Sequence, residues 1–355
     1  MEKIIIKKGT VLHKKYEDIK EDIKRKILEG EYVLRLPGLR KLADEYDVNI
    51  RTIRKAIEKL EKDGVVEILS NRGILISDRK ISTIGIIGYF EENLFSEDKS
   101  AGYGETIFRY LVSAIEKKGD ILIYKKADLN LPYINILRNH RNNIDGLIIF
   151  VPTNKRKKEM INLSKKKIPY ITIGNTFFES DINYIDTDNF SDTKEAVSYL
   201  IKRGHKKILF IGDTQDTNVL KLRLEGYKKA LEENNIFFDN SLVLMENRKN
   251  KIFEEKIEEI FSKKSIPSAI FGASCFNTAH LLELTSDLRK KIDIIVYDDF
   301  DDILEKFDIS YGVIKQPLEK IAKISINSIY KMIEERKFLP IQIKLRSDLI
   351  FKERR

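Results

Sequence analysis

The chain has no tryptophan, one cysteine (Cys275) and four histidines in 355 residues. A lone thiol excludes an intrachain disulfide and any cysteine-built zinc cluster. His13, His140, His205 and His280 are scattered without ligand spacing, and His205 reads as a structural helix-end residue. No metal and no cofactor are therefore expected. No apolar run reaches membrane-spanning length, and Met1-Glu2-Lys3-Ile4-Ile5-Ile6-Lys7-Lys8 is too short for a signal segment, so a cytoplasmic protein without membrane attachment is expected. Phosphate-binding fingerprints are missing too. The nearest approach, Gly102-Tyr103-Gly104, has Ile107 where the third glycine would stand, and no nucleophile elbow or P-loop occurs. An enzyme is not expected.

What is present suits a soluble protein of several folding units, with 42% hydrophobic and 34% charged residues. The formal charge of +9 favours a polyanionic partner. Residues 1–80 hold 20 Lys/Arg against 15 Asp/Glu, so over half of that excess lies in under a quarter of the length.

The stretch Leu36–Ile76 gives this charge a form. Ile50, Ile53, Ile57 and Leu60 recur at helical spacing on one face, while Arg51, Arg54, Lys55 and Lys62 fall opposite. A short helix over Leu39–Tyr46 precedes this longer one, placed at Asp47–Asp63, and an amphipathic helix from Tyr16 to Gly30 comes before both. Val65–Leu69 and Ile74–Ser77 read as strands around Ser70-Asn71-Arg72-Gly73. Together these predict a winged helix-turn-helix. The segment resembles the GntR-family winged helix through Leu36, Pro37, Arg40, Leu42, Ala43, Val48, Thr52, Arg54, Ala56 and Gly73. Gly38, Asn49 and Ile50 depart from that pattern.

Double-stranded operator DNA is the partner this resemblance implies. Arg54 is the candidate base reader, since a guanidinium fork matches guanine O6 and N7; an exposed Arg paired with Glu58 is the alternative. Arg40 and Thr52 are candidate phosphate contacts. Arg72 and Gly73 are placed at the wing tip, for the minor groove or simply for the turn. Asn49 and Arg51 complete the candidate set, Arg51 lying next to the missing family Arg.

From Thr83 the period changes. Apolar runs at Thr83–Tyr89, Ile121–Tyr124, Asp145–Val151, Pro169–Gly174, Lys207–Gly212, Ser268–Ala273 and Ile292–Tyr297 alternate with helical stretches such as Ile107–Lys118 and Thr193–Arg203. Such alternation predicts an α/β fold with two linked, doubly wound parallel sheets. The expected domains are a DNA-binding unit at 1–76, a linker at 77–82 and an effector-binding, dimerising unit at 83–355.

This second region resembles the LacI/GalR effector domain, which has the periplasmic-binding-protein fold. The resemblance rests on Asp145-Gly146-Leu147-Ile148-Ile149, Ile168-Pro169-Tyr170, Asp188-Asn189, Leu200 to Ile208 with its Gly204-His205, Arg223-Leu224-Glu225-Gly226-Tyr227 with Ala230-Leu231, Pro267 to Phe271, Tyr297-Asp298-Asp299 and Gln316-Pro317. A GntR-type reader joined to such a sensor is the arrangement of the arabinose-repressor subgroup. It implies a homodimeric repressor of carbohydrate utilisation genes gated by a sugar-like effector.

The resemblance also implies effector contacts from Arg223, Asp298, Gln316 and Asp188, with Phe95, Phe276 or Phe300 as the stacking ring. Arg223 as an interlobe ion pair, and Asp298-Asp299 with Asp301-Asp302 as a solvated loop or cation site, are the alternatives. Ser274-Cys275 stands where the family has Asn-Asp. Cys275 thus occupies an effector position without a carboxylate, which keeps open a non-sugar ligand or a sensor that only dimerises.

Overall fold

The computed structural model describes residues 16–32, 35–69, 73–76, 82–88, 102–118, 120–126, 132–133, 144–214, 217–262, 266–285, 292–300, 303–336 and 338–353. They fall into two compact units, divided between Ile81 and Ser82. The expected linker, apart from Ser82, and the wing-tip residues Ser70, Asn71 and Arg72 lie outside the described residues, as do Phe95, Asp301 and Asp302.

The first unit contains α1 (Tyr16–Leu28), α2 (Leu39–Tyr46), α3 (Ile50–Lys62) and the antiparallel pair β1 (Val66–Leu69) and β2 (Gly73–Ile76). Asp47 belongs to the turn and not to the third helix: at φ +52° it closes α2 in the left-handed region. Asn49 then opens α3, its Oδ1 accepting from the Arg51 N–H at 2.9 Å. Ile53, Ala56, Ile57 and Leu60 turn inward on α3 to meet Ile19, Ile23, Leu42, Val66 and Ile74. Each large aliphatic among them contributes about 1.5–3 kcal/mol by burial. The Leu36 N–H donates to Ile74 O at 2.9 Å and fastens the hairpin to the helices.

The second unit carries two six-stranded sheets. The first lobe comprises β3 (Thr83–Gly88), α4 (Tyr103–Glu116), β4 (Ile121–Lys126), β5 (Gly146–Phe150), α5 (Lys157–Lys165), β6 (Tyr170–Ile173) and β7 (Tyr184–Thr187). The second comprises α6 (Asn189–Lys202), β8 (Ile208–Gly212), α7 (Asn218–Glu233), β9 (Val243–Met245), α8 (Lys251–Ser262), β10 (Ala269–Gly272), α9 (Cys275–Leu284), β11 (Asp293–Tyr297) and β12 (Tyr311–Lys315). The chain returns to the first lobe for α10 (Leu318–Glu335) and β13 (Gln342–Leu345), and ends on β14 (Asp348–Lys352) in the second. Strand orders are β13-β7-β6-β5-β3-β4 and β14-β12-β11-β10-β8-β9. Every pairing within them is parallel except β12 with β14. Helices cover both faces, so the strands are apolar throughout, as Ile208–Gly212 and Ala269–Gly272 illustrate.

Three crossings join the lobes, and they lie side by side. Thr187 Oγ1 donates to Gln316 Oε1 at 3.0 Å, the Asp188 N–H to Leu345 O at 2.8 Å, and the Ser347 N–H to Asp192 Oδ2 at 3.1 Å. His205 works elsewhere. Its ring nitrogens meet Ser268 Oγ at 3.0 Å and Asp293 Oδ2 at 2.9 Å, pinning together segments beside β8, β10 and β11.

Candidate functional site

Two regions carry the candidate chemistry, one in each unit. On the first, Arg51 and Arg54 are exposed on the outer face of α3, and their side chains make no hydrogen bond or ion pair among the described residues. The alternative pairing of Arg54 with Glu58 is therefore not formed. Lys55, by contrast, is held 4.0 Å over the Tyr16 ring. Arg40 is exposed on α2, and Thr52 lies half-buried in the first turn of α3. Gly73 has φ +84°, a conformation that penalises any side chain, so the turn alone explains the glycine. A helix with its guanidiniums uncommitted and its apolar face anchored is suited to a phosphate-lined groove.

On the second unit, a cavity of about 720 Å³ opens between the lobes at the carboxyl ends of the strands. That is where open α/β sheets bind ligands. The first lobe contributes Tyr103, Phe150, Thr153 and Asp186; the second contributes Arg223, Ser274, Cys275, Phe276, Tyr297, Asp298, Phe300 and Gln316, among others.

Arg223 occupies the middle. It is only 7% exposed, its Nε donates to Asn189 Oδ1 at 2.8 Å and its Nη1 to Ala273 O at 2.7 Å, and its guanidinium carbon lies 3.4 Å from the Tyr297 ring centroid. The fork is thus fixed from three sides. No interlobe salt bridge holds it among the described residues. Asp298, at φ +56°, leaves β11 with its Oδ2 accepting from Gln316 Nε2 at 2.5 Å. Burial pushes this carboxyl up to about 6, with the Arg223 charge opposing the rise. Asp299 points elsewhere: it accepts from Lys352 Nζ at 2.9 Å and from the Leu304 N–H at 3.1 Å. The two carboxylates thus have different partners.

Asp188 is placed differently from the other three. It does not line the cavity; its Oδ1 accepts from the Ser191 N–H at 3.2 Å and caps α6. The crossing turns the chain into a helix at that residue, and the side chain serves the helix start. The carboxylate facing the cavity is Asp186, two residues earlier and 1% exposed. It accepts from Thr176 Oγ1 at 3.0 Å and from the Thr187 N–H at 2.9 Å, and burial raises it to about 6. A charged residue inside the buried strand Tyr184-Ile185-Asp186-Thr187 was the available signal, because burying an ion in a sheet needs a compensating use.

Cys275 is buried at the start of α9, with its thiol pushed up to about 12 by burial. It is a neutral wall of the cavity and no substitute for a carboxylate. Phe276 and Phe300 line the cavity and are placed to stack. Tyr103 Oη is buried there without a hydrogen-bond partner among the described residues. Around Arg223 the cavity therefore combines the forked acceptors Asp186 and Asp298, a forked donor and aromatic walls, an inventory that fits a compound with several hydroxyls.

Sequence comparisons agree with this layout. Residues 15–76 match the family described as bacterial regulatory proteins, gntR family. Residues 96–279, over half of the chain, match periplasmic binding proteins and sugar binding domain of LacI family. Among curated relatives, the regulator MalR of Clostridium butyricum is 23% identical over 295 residues, covering 81% of this chain and 85% of MalR. The arabinose metabolism transcriptional repressor of Halalkalibacterium halodurans is 25% identical over 325 residues, covering 80% of each chain. Among solved structures, the transcriptional regulator CelR bound to cellobiose is 19% identical with a TM-score of 0.62, covering 89% of this chain and 98% of that one. No helix among the described residues is long and apolar enough to cross a membrane.

Proposed function

The chain belongs to the LacI family of periplasmic-binding-protein-like domains, joined to a gntR-family DNA-binding domain, and from that premise we propose that a small polyhydroxy effector in the interlobe cavity sets its grip on operator DNA. It is a DNA-binding transcription regulator and not an enzyme. The proposal concerns which residues do the work and how they are coupled.

The observation that carries it is the position of Arg223, a buried guanidinium on one lobe sharing a cavity with Asp186 on the other and with Asp298 at the hinge end. A ligand bonded to both lobes favours their closed arrangement by its difference in affinity for the two arrangements, and by no more than that. A homodimer held by the sensor units would then re-space two winged helices on a two-fold operator, with Arg54 and Arg51 reading bases and Arg40, Thr52 and Asn49 contacting phosphates. Repression of carbohydrate utilisation genes fits the named relatives, two of which are MalR and an arabinose repressor.

A panel of pentoses, hexoses, their phosphates and nucleosides tested by thermal shift, with gel-shift titration on the bound chromosomal site, checks the reading. A sugar that raises the sensor melting temperature by several degrees, and changes operator affinity, is the expected result. Silence across the panel, with R223A indistinguishable from the natural chain, supports instead a sensor that only dimerises or takes a different ligand class.

A further inference from the structure

The interlobe cavity is chemically divided. Its hinge end holds Asp186, Asp298, Gln316 and Arg223, whereas its outer rim on the second lobe is formed by Thr217, the start of α9, Arg248 and Lys249. Thr217 stands at the N-cap position of α7 but its side chain makes no cap bond. It is 7% exposed, and its Oγ1 has no partner among the described residues. A buried hydroxyl left unsatisfied beside a cavity has a hydrogen bond to offer to a group that enters there.

Two exposed cations that line the same cavity, Arg248 and Lys249, are on a built support. Asn277, 1% exposed, donates from Nδ2 to Gly212 O at 2.7 Å and to Glu246 O at 2.8 Å, tying the turn after β9 to the end of β8. Within that turn the Lys249 N–H donates to Asn247 Oδ1 and the Asn250 N–H to Asn247 O, both at 2.9 Å. Arg248 has its guanidinium carbon 5.6 Å from the Phe276 ring centroid, on the cavity wall. Neither Arg248 nor Lys249 forms an ion pair among the described residues. Asp213 is the opposing charge on this rim, and its Oδ1 already accepts from the Thr214 N–H at 2.6 Å. The N-terminal ends of α7 and α9 add positive partial charge at the same rim.

We infer that the effector ends in a phosphate, seated at Thr217 and the start of α9 beneath Arg248 and Lys249, so that the ligand is a phosphorylated polyol and not a neutral sugar. This rests on the reading of the cavity as the effector site. Hydroxyls then meet the hinge end and the dianion meets the rim, which matches each part of the ligand to the charge that faces it.

The test uses the full chain and inorganic phosphate as probe. The sensor melting transition is followed in 10 mM phosphate and in sodium chloride of equal ionic strength, a concentration low enough to limit general salt stabilisation. Phosphate is expected to raise the transition by about 2 °C over chloride in the natural chain. The gain should persist in R51Q/R54Q, which removes the basic face of α3, and vanish in R248Q/K249Q. Matched pairs, ribose against ribose 5-phosphate and glucose against glucose 6-phosphate, should show any preference for the phosphorylated member lost in R248Q/K249Q. No advantage of phosphate over chloride, or an advantage that survives R248Q/K249Q, overturns the proposal. A neutral sugar bound equally well by R248Q/K249Q but lost in R223A would sink the phosphate site while leaving the effector cavity standing.

Discussion

Gln316 donates from Nε2 to Asp298 at 2.5 Å while its Oε1 accepts from Thr187 at 3.0 Å, so one amide joins a cavity carboxylate to a crossing between lobes. Both ends of the amide are buried and satisfied. Whatever bonds Asp298 therefore acts one side chain away from the segment about which the lobes turn.

Gln316→Ala is expected to cut effector affinity roughly tenfold, the usual consequence of losing a hydrogen bond to a charged group. It should also weaken the effect of ligand on operator affinity while leaving ligand-free DNA binding within about twofold. Gel-shift titrations with and without ligand decide it. Undiminished coupling in the variant would remove Gln316 from the path.

Arg223→Ala should lower effector affinity by about 2–4 kcal/mol, since it strips a buried charged fork from the cavity. The change also leaves Asn189 Oδ1 and Ala273 O without their donor, costing about 1–3 kcal/mol of sensor stability. Arg223→Lys keeps the charge without the fork, and calorimetry should place it nearer to Ala than to Arg.

Arg54→Ala should remove about 1–3 kcal/mol from operator binding and relax specificity at one base pair. The residue is exposed and its side chain makes no contact that the fold needs, so melting should not move. Unchanged affinity at fixed salt would transfer base reading to Arg51 or elsewhere.

Asp186 and Asp298 each titrate near 6 in the folded sensor against about 3.9 when unfolded. The folded state therefore holds protons that the unfolded chain has released. The stability this contributes is complete below the unfolded value and lost as pH rises through 6. Ligand-free melting should fall between pH 5 and pH 7.5 on their account, and D186N/D298N should flatten that slope. Affinity for a hydroxyl ligand should move the other way, rising over the same interval as the carboxylates ionise. An equal slope in the double variant would refute the assignment.

Gly226→Ala should destabilise the sensor by about 1–3 kcal/mol through overpacking. A Cβ there would meet the Phe190 backbone oxygen at 2.4 Å, where α7 crosses the start of α6. Thermal melting measures it, and a loss under 0.5 kcal/mol would show that the helices shift apart at little cost.

Much of this architecture was legible because burial writes itself into composition. Strands covered on both faces must be apolar along their whole length, so β5, β6, β8, β10 and β11 were evident as runs. β9 was not, because three residues are too few for a pattern, and β14 was not, because an edge strand with Ile350 and Phe351 exposed alternates weakly. Arg223, Asp298 and Gln316 were placed by motif and line the cavity. Asp188, at the motif position, caps α6 and is not among the cavity-lining residues. Asp186 was invisible to a search for apolar strands, being a charge inside one. The rim at Arg248 lay beyond spacing arguments altogether, as it depends on Asn277 bringing together two carbonyls 34 residues apart in the chain.

Cys275, the chain's sole thiol, is 3% exposed, and burial pushes it up to about 12, away from the reactive thiolate. Maleimide reagents should therefore ignore it. Paired cysteines introduced on the outer surfaces of the two lobes would take spin or fluorescent labels without first deleting the native one, and interlobe distance would become directly measurable as metabolites are added.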